Sequence, residues 1–503
     1  MATHCLFFPT PNFCRRSITH RSAFSSRSIF FGASLKVHTN RNQLGRFSRS
    51  PTPIYCSSQE FDVVIVGAGI IGLTIARQFL TSSDLSVAIV DKALPCSGAT
   101  GAGQGYLWMA HKTPGSDIWD LTWRSHQLWK MLAESLKEQG LNPTVELGWK
   151  KTGSLLVGRT KAQLDMLKGR VKQLNEAGLK AEYLCNSDLS ELEPDLFVDK
   201  DSAGAFLPDD CQLDAYLTVS YIEKVNRSFA SKGRYAEFYN EPVKRFIRLN
   251  SLFLAVVLKI RCKKGIIVAA GCWTGCLIQD SFRNWGMELD VPVRPRKGHL
   301  LVLQNFDYLQ LNHGLMEAGY VDHPTLSDIE SSEDGRSLSV SMTATVDAAG
   351  NLLIGSSREF VGFSTELDES VVRYIWKRVA EFFPKLELLS LSDLSANRKV
   401  RIGLRPYMPD GKPMIGPVPG LSNVYLAAGH EGGGLSMGHW RQDFIVLFLS
   451  LSHATTEQDI DKFIFVPVSD IFALGTAEMV ADTVLGHPTK VDCAPFAVHR
   501  VLD

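Results

Sequence analysis

Short apolar runs alternate with helical stretches along the chain. The run from Phe61 to Val66 and the segment SVAIVD from Ser86 have the near-continuous apolar character of strands buried on both faces, and Ile70 to Leu80 reads as the helix between them. The pattern returns much later. GIIVAAGCWTG at 265–275 reads as a strand ending in Ala-Gly and an aromatic residue, and VYLAA at 424–428 reads as a final parallel strand leading into the glycines of GHEGGG. In between, the period changes: alternation in NLLIGSS at 351–357 predicts a strand, and VVRYIWKRVAEFF at 371–383 predicts an amphipathic helix. These elements predict an α/β chain in which a Rossmann-like parallel sheet is interleaved with an α+β portion. No stretch reaches the roughly 18–20 uncharged apolar residues of a membrane-spanning helix. SLFLAVVL at 251 and FIVLFLSL at 444 have only strand length.

At 503 residues the chain is long enough for two intertwined domains and a large core. Its zero net charge conceals an asymmetry. Residues 1–58 hold seven Arg, one Lys, ten Ser and no acidic residue, so the remainder carries 45 basic against 53 acidic residues, net −8. An acid-free, Arg- and Ser-rich leader reads as an organelle transit peptide and is excluded from the fold. Ile54-Tyr55-Cys56 followed by Ser57 resembles plastid cleavage sites more than mitochondrial ones, so the expected destination is the plastid stroma, with the mitochondrion as the alternative. A net-acidic mature protein argues against nucleic-acid binding. Three of ten cysteines, Cys5, Cys14 and Cys56, fall in or at the edge of the leader, and the irregular remainder reads as free thiols rather than a disulfide framework. Cys272 and Cys276 lack the partner ligands a zinc site needs, so no metal is expected.

The first strand and helix are joined by a GxGxxG turn. Gly67 permits the tight turn, Gly69 lets a pyrophosphate approach the backbone at the helix N-terminus, and Gly72 lets the helix pack closely on the strand. Asp91 ends the second strand where a carboxylate can accept a ribose hydroxyl. The choice of dinucleotide rests on the next segment. An NAD domain continues with regular strand and helix alternation, whereas CSGATGAGQG at 96–105 is a run of small residues that can pass beside a bulky planar cofactor, which favours FAD.

In this order GAGIIG, SGATGAGQG, VAAGCW, PVRPRKGHLLVL and GLRPYMPDGKPMIGPVPGLSNVYLAAGHEGGG resemble the D-amino-acid oxidase superfamily of FAD-dependent amine oxidoreductases. That superfamily includes glycine oxidase, sarcosine oxidase and D-amino-acid dehydrogenases. The resemblance covers about residues 60–437 and resumes near 473, and its last block is most similar to D-amino-acid and hydroxyproline dehydrogenase-like members. It implies a D-amino-acid oxidase-like fold, with a discontinuous FAD-binding domain at 59–144, 206–289 and 399–503 and a substrate domain at 145–205 and 290–398. The activity implied is oxidation of the C–N bond of a small D-, N-substituted or cyclic amino acid, by hydride transfer to flavin N5, to give an imine. Oxygen or another acceptor would reoxidise the flavin.

The resemblance also implies the site. Arg405 of GLRP binds the substrate carboxylate, a role for which a planar, permanently charged guanidinium is suited. The prolines around it stiffen the turns, and Asp410 is expected to cap one of them. Tyr320 in HGLMEAGYV is a candidate to reach the substrate, with an ordinary strand tyrosine as the competing reading, and His299 has the same status. Cofactor contacts are expected from Gly67, Gly69, Ile70, Ile71 and Gly72, from Asp91 and Lys92, and from Ala99, Thr100 and Gly103. Val243, the turn residues Ala270, Gly271 and Trp273, and the loop residues Gly429, His430, Gly432 and Gly433 complete the set. Glycine oxidases often carry an arginine just after the Gly-His, where this chain has Glu431 and Gly432. Covalent sarcosine oxidases attach FAD through a cysteine that would align near Gly403, so noncovalent FAD is expected. An NAD-linked dehydrogenase would share GxGxxG but has no reason to carry the GLRP to GHEG block. A second rival, an inactive flavin-binding form, draws on residues 438–472. Relatives enter their last helix almost directly, whereas here these 35 residues intervene before ALGTAEMVADTVLG and are expected not to belong to the working enzyme.

Overall fold

The computed structural model describes residues 59–244, 246–249, 252–255, 260–283, 289–319, 338–421, 423–434 and 473–501. The leader, Tyr320 and residues 438–472 lie outside the described residues.

The apolar runs lie side by side in one sheet. Strands Val424–Ala428, Ile260–Val268, Glu60–Val66, Val87–Val90 and Tyr235–Phe238 pair in parallel in that spatial order, and Met414–Pro417 adds an antiparallel edge. Leu252–Ala255 and Phe246–Leu249 form an antiparallel extension off Ile260–Val268. Successive side chains point to opposite faces of a strand, and here both faces are covered. Val63 and Ile65 pack in one core with helices Ile70–Ser82, Ala215–Arg227 and Ala473–Leu485, while Val64 and Val66 pack in another with Ile278 and Phe282 of helix Thr274–Phe282. Burial on both faces is the physical reason the sequence showed no alternation in these strands.

A second sheet runs in the order Arg398–Tyr407, Arg294–Leu303, Leu352–Arg358, Ser339–Val346, Gly314–Glu317, Ser154–Gly158, Ala203–Leu207, Glu182–Leu184. Its alternation divides two faces. Leu301, Leu303 and Ile354 pack on Val372, Ile375 and Val379 of helix Glu369–Ala380, whose N-cap Asp368 accepts the Ser370 amide. The opposite face fronts the first sheet. One boundary differs from expectation: the sequence places residues 399–407 with the cofactor domain, but Arg398–Tyr407 pairs residue for residue with Arg294–Leu303 of the second sheet. Likewise Ala203–Leu207 pairs with Ser154–Gly158 and straddles the expected break at 205/206. Ten cross-strand pairs from Arg294↔Tyr407 to Leu303↔Arg398 commit the GLRP segment to the second sheet.

The seven described cysteines are all free thiols. Among the described residues no helix is long and apolar enough to cross a membrane, and no group of three or more His, Cys, Asp or Glu is placed to hold a metal ion.

Candidate active site

A cavity of about 760 Å³ opens where the C-terminal ends of the parallel strands meet the second sheet. The GxGxxG turn forms one wall. Gly67 has φ +117, and a Cβ there would lie 2.2 Å from the Ala269 carbonyl oxygen; one on Gly72 would lie 1.9 Å from the Gly67 carbonyl oxygen. These two contacts press strand, turn and helix into the tight packing foreseen from the spacing. Helix Ile70–Ser82 has no side-chain cap and no acidic residue in its first turn, so its partial positive charge faces the cavity. The Ile70 amide donates to Thr100 Oγ1 of the small-residue loop at 3.2 Å. Asp91 accepts the Ala68 amide at 2.6 Å and the Ala93 amide at 2.8 Å, while burial pushes its carboxyl up against the opposing effect of those bonds. Lys92 places its Nζ 3.4 Å from the centre of the Trp273 ring.

The opposite wall comes from the second sheet. Arg405 donates from Nη1 to the Ser357 carbonyl at 2.9 Å, and its guanidinium lies across Gly298, where a Cβ would come within 2.3 Å of Nη1. Gly403 approaches the small-residue loop closely enough that a Cβ would lie 2.6 Å from that of Ala102. Asp410 accepts the Lys412 amide at 3.1 Å and Arg500 Nε at 2.8 Å, which is the turn-fixing role expected of it. From the third side the glycine loop closes in. His430 pairs with Thr476 Oγ1 of helix Ala473–Leu485 at 3.0 Å, and Glu431, with φ +46, forms an ion pair with Arg296.

Sixteen of the expected residues line this one cavity: Gly67, Gly69, Ile70, Ile71, Asp91, Lys92, Ala99, Thr100, Gly103, Val243, Ala270, Gly271, Trp273, Arg405, His430 and Gly432. Gly72 and Gly429 stand behind it and act by close packing, Gly429 against Met408, where a Cβ would come within 2.3 Å of Cγ. Gly433 sits in the short turn Glu431–Gly434. His299 contributes to the lining, yet its ring is held on the helix side of the sheet, with Nε2 accepting the Asp368 amide at 3.3 Å and Nδ1 at 3.2 Å from Ser357 Oγ. In the neutral ring that acceptor places the proton on Nδ1. Residues absent from the sequence reading come from far along the chain: Arg296, which holds Glu431, and Ser357, whose carbonyl holds Arg405. Only the glycine at 298 was a signal, and it is readable only once its neighbour across the sheet is known.

Buried neutral histidines give the fold an acid limit. Burial pushes His126 and His430 down to about 3 and His299 to about 4. An unfolded histidine titrates near pH 6.5, so their stabilising contribution is complete above that value and is lost as pH falls from there toward 3 to 4. Asp210, pushed up to about 7 by burial, acts in the opposite sense by one proton. The expected outcome is that His126→Gln flattens the pH dependence of urea unfolding between about pH 6.5 and 4.5, by up to about 1.4 kcal/mol per pH unit relative to the parent. Parallel curves for the two proteins would show that His126 does not titrate on unfolding.

The uncapped helix at a glycine turn, the carboxylate at the end of the second strand and the arginine-bearing second sheet define a dinucleotide-dependent oxidoreductase of the two-domain flavoprotein class. The described residues fit FAD: the GxGxxG cradle has no room for side chains at Gly67 and Gly72, and the cavity extends from that cradle to Arg405. Comparison with known proteins gives the family. The model of the DAO family, FAD dependent oxidoreductase, matches residues 62–440, and the chain belongs to that family. Among its relatives, hydrogen cyanide synthase subunit HcnC of Pseudomonas protegens is 24% identical over 414 residues, which is 74% of this chain and 88% of that protein. Glycine oxidase of Pseudomonas aeruginosa is 26% identical over 388 residues, 74% of this chain and 90% of that protein. The crystal structure of glycine oxidase from Geobacillus kaustophilus shares the fold, with a TM-score of 0.66 at 21% identity over 88% of this chain and 99% of that one.

Proposed function

We propose that this chain uses noncovalently bound FAD to oxidise the C–N bond of a small D-, N-substituted or cyclic amino acid whose carboxylate is held by Arg405. The observation that carries the reading is the seat of Arg405: its guanidinium lies flat over Gly298, anchored by one donor to Ser357, in the same cavity as the dinucleotide cradle. Bound FAD supplies the two-electron acceptor, and oxygen or another acceptor reoxidises it. The chain's own residues orient and exclude water. Arg405 fixes the carboxylate, Gly298 leaves room for its guanidinium, and Gly403 admits the small-residue loop at Ala102. Positioning of this kind accounts for much of the rate, and a substrate amine that enters neutral needs no general base. The glycine oxidase relatives support an amino-acid substrate, and Gly403 in place of a cysteine supports noncovalent binding. An anaerobic panel of amino acids tests the proposal: bleaching of the flavin by at least one is expected, and no reduction by any would end it. Acid precipitation that left the flavin on the protein would overturn the noncovalent part.

The same reading treats residues 438–472 as dispensable. It is supported by a family match that ends at residue 440 and by the hydrogen bond from the glycine loop to Thr476, which ties the loop to the helix beginning at Ala473. Deleting Gly438 to Phe472 is expected to raise soluble yield, FAD occupancy and turnover. Loss of flavin from the deletion protein while the full chain holds it would show that the segment is native structure.

A further inference from the structure

Arg296 and Arg405 are direct partners across the strand pair, so both side chains rise from the same face of the second sheet, beside the glycine loop. Two like charges at such a position repel. Glu431 supplies the opposite charge, and it does so to Arg296, whose guanidinium also lies 4.9 Å from the centre of the Tyr407 ring. The pair is well shielded, with side-chain exposures of 13% for Arg296 and 8% for Glu431. Glu431 is one of four described non-glycine residues with positive φ, although the three residues that follow it are glycines, which reach that conformation without strain. A carboxylate is therefore held in place against local backbone preference, at a cavity whose reading requires positive charge for its substrate. This local cost calls for a functional account.

We propose that Glu431 is a specificity-determining residue: by holding Arg296, it limits the cationic wall of the cavity to one carboxylate and turns away amino acids that carry a second. The inference rests on the reading of Arg405 as the carboxylate holder. A second carboxylate near Arg405 would meet the charge of Glu431 and find Arg296 already engaged. A neutral or cationic side chain would meet no such repulsion.

Titration of purified FAD-bound protein with propionate and with succinate, followed by the flavin absorbance change, gives dissociation constants without turnover. In Glu431→Gln the ratio of the two constants is expected to move toward succinate by about tenfold or more, the size of one charge-assisted contact. A ratio within about twofold of the parent overturns the proposal. Arg296→Met leaves the Glu431 charge uncompensated and is expected to weaken propionate binding by about tenfold, while Arg296→Met combined with Glu431→Gln recovers propionate binding without gaining succinate. Should Glu431→Gln lose its flavin, this second comparison decides, and unchanged propionate binding in Arg296→Met overturns the proposal. If Arg405→Lys weakens propionate binding but neither comparison moves, the reading of Arg405 stands and this inference alone falls. If propionate leaves the flavin spectrum of the parent protein unchanged at every concentration, both fall.

Discussion

Arg405→Lys is expected to weaken binding of the oxidised amino acid by about 1.5–3 kcal/mol, roughly 10- to 150-fold, while FAD stays bound. Lysine keeps the charge, so the loss isolates geometry. The guanidinium spends Nη1 on the Ser357 carbonyl, and the planar group lies on the bare backbone of Gly298. An ammonium on a flexible stem can reproduce neither the fork nor the stacking, and it has no second nitrogen with which to anchor itself while binding a carboxylate. Gly298→Ala approaches the same seat from below. Its Cβ would fall 2.3 Å from Nη1 and 2.6 Å from Cζ, atoms at the far end of a mobile side chain, so the fold persists and the arginine moves. The measurement is the apparent substrate affinity in steady-state or anaerobic titration. Unchanged affinity in the lysine variant, with FAD content unchanged, would remove Arg405 from the site.

Gly67→Ala is expected to abolish FAD retention and to cost about 3–5 kcal/mol of stability. Two causes add. At φ +117 a side chain is strained whatever space surrounds it, and the new Cβ would lie 2.2 Å from the carbonyl oxygen and 2.8 Å from the carbonyl carbon of Ala269. Both contacts are backbone just past the end of strand Ile260–Val268, where the Ala269 amide is itself bonded to the Val66 carbonyl at 2.8 Å, so neither partner can rotate away. The strand ends must separate, and the turn that would meet the pyrophosphate opens with them. Flavin absorbance of the purified variant and its urea midpoint against the parent's test both parts. A variant that stays yellow and equally stable would show that the turn is far softer than its contacts imply.

The cofactor side of this protein was legible because its demands are local. A buried strand, three glycines at fixed spacing and a helix form one continuous segment, and the residue types themselves encode the close packing at Gly67 and Gly72. The same holds for Arg405, which stands out as a charged side chain among prolines that stiffen its surroundings. Alternation in 351–357 and the amphipathic period in 371–383 likewise identified strand Leu352–Arg358 and helix Glu369–Ala380. Each of these readings uses only residues within a few turns of one another.

What lay beyond the sequence depends on pairing between distant segments. The strand at 398–407 could be read as a strand, but only its register with 294–303 places it in the second sheet and sets Arg405 opposite Arg296. Parity explains His299 in the same way. Being one position out of step with Arg296 and Gly298, it falls on the face that packs against helix Glu369–Ala380, where it accepts the Asp368 amide instead of facing the arginines. The charge balance of the cavity is the clearest instance. In the sequence Glu431 is a departure from a family pattern and Arg296 is one of several basic residues in a strand; in the structure they neutralise each other beside Arg405. Composition and spacing thus determined the class of cofactor, the glycine turn and the stiff, proline-rich setting of Arg405, because backbone sterics and side-chain chemistry act over short separations. Tertiary structure decided which sheet carries that arginine, what seats it and how many charges the cavity offers, because electrostatic balance belongs to groups that only folding brings together.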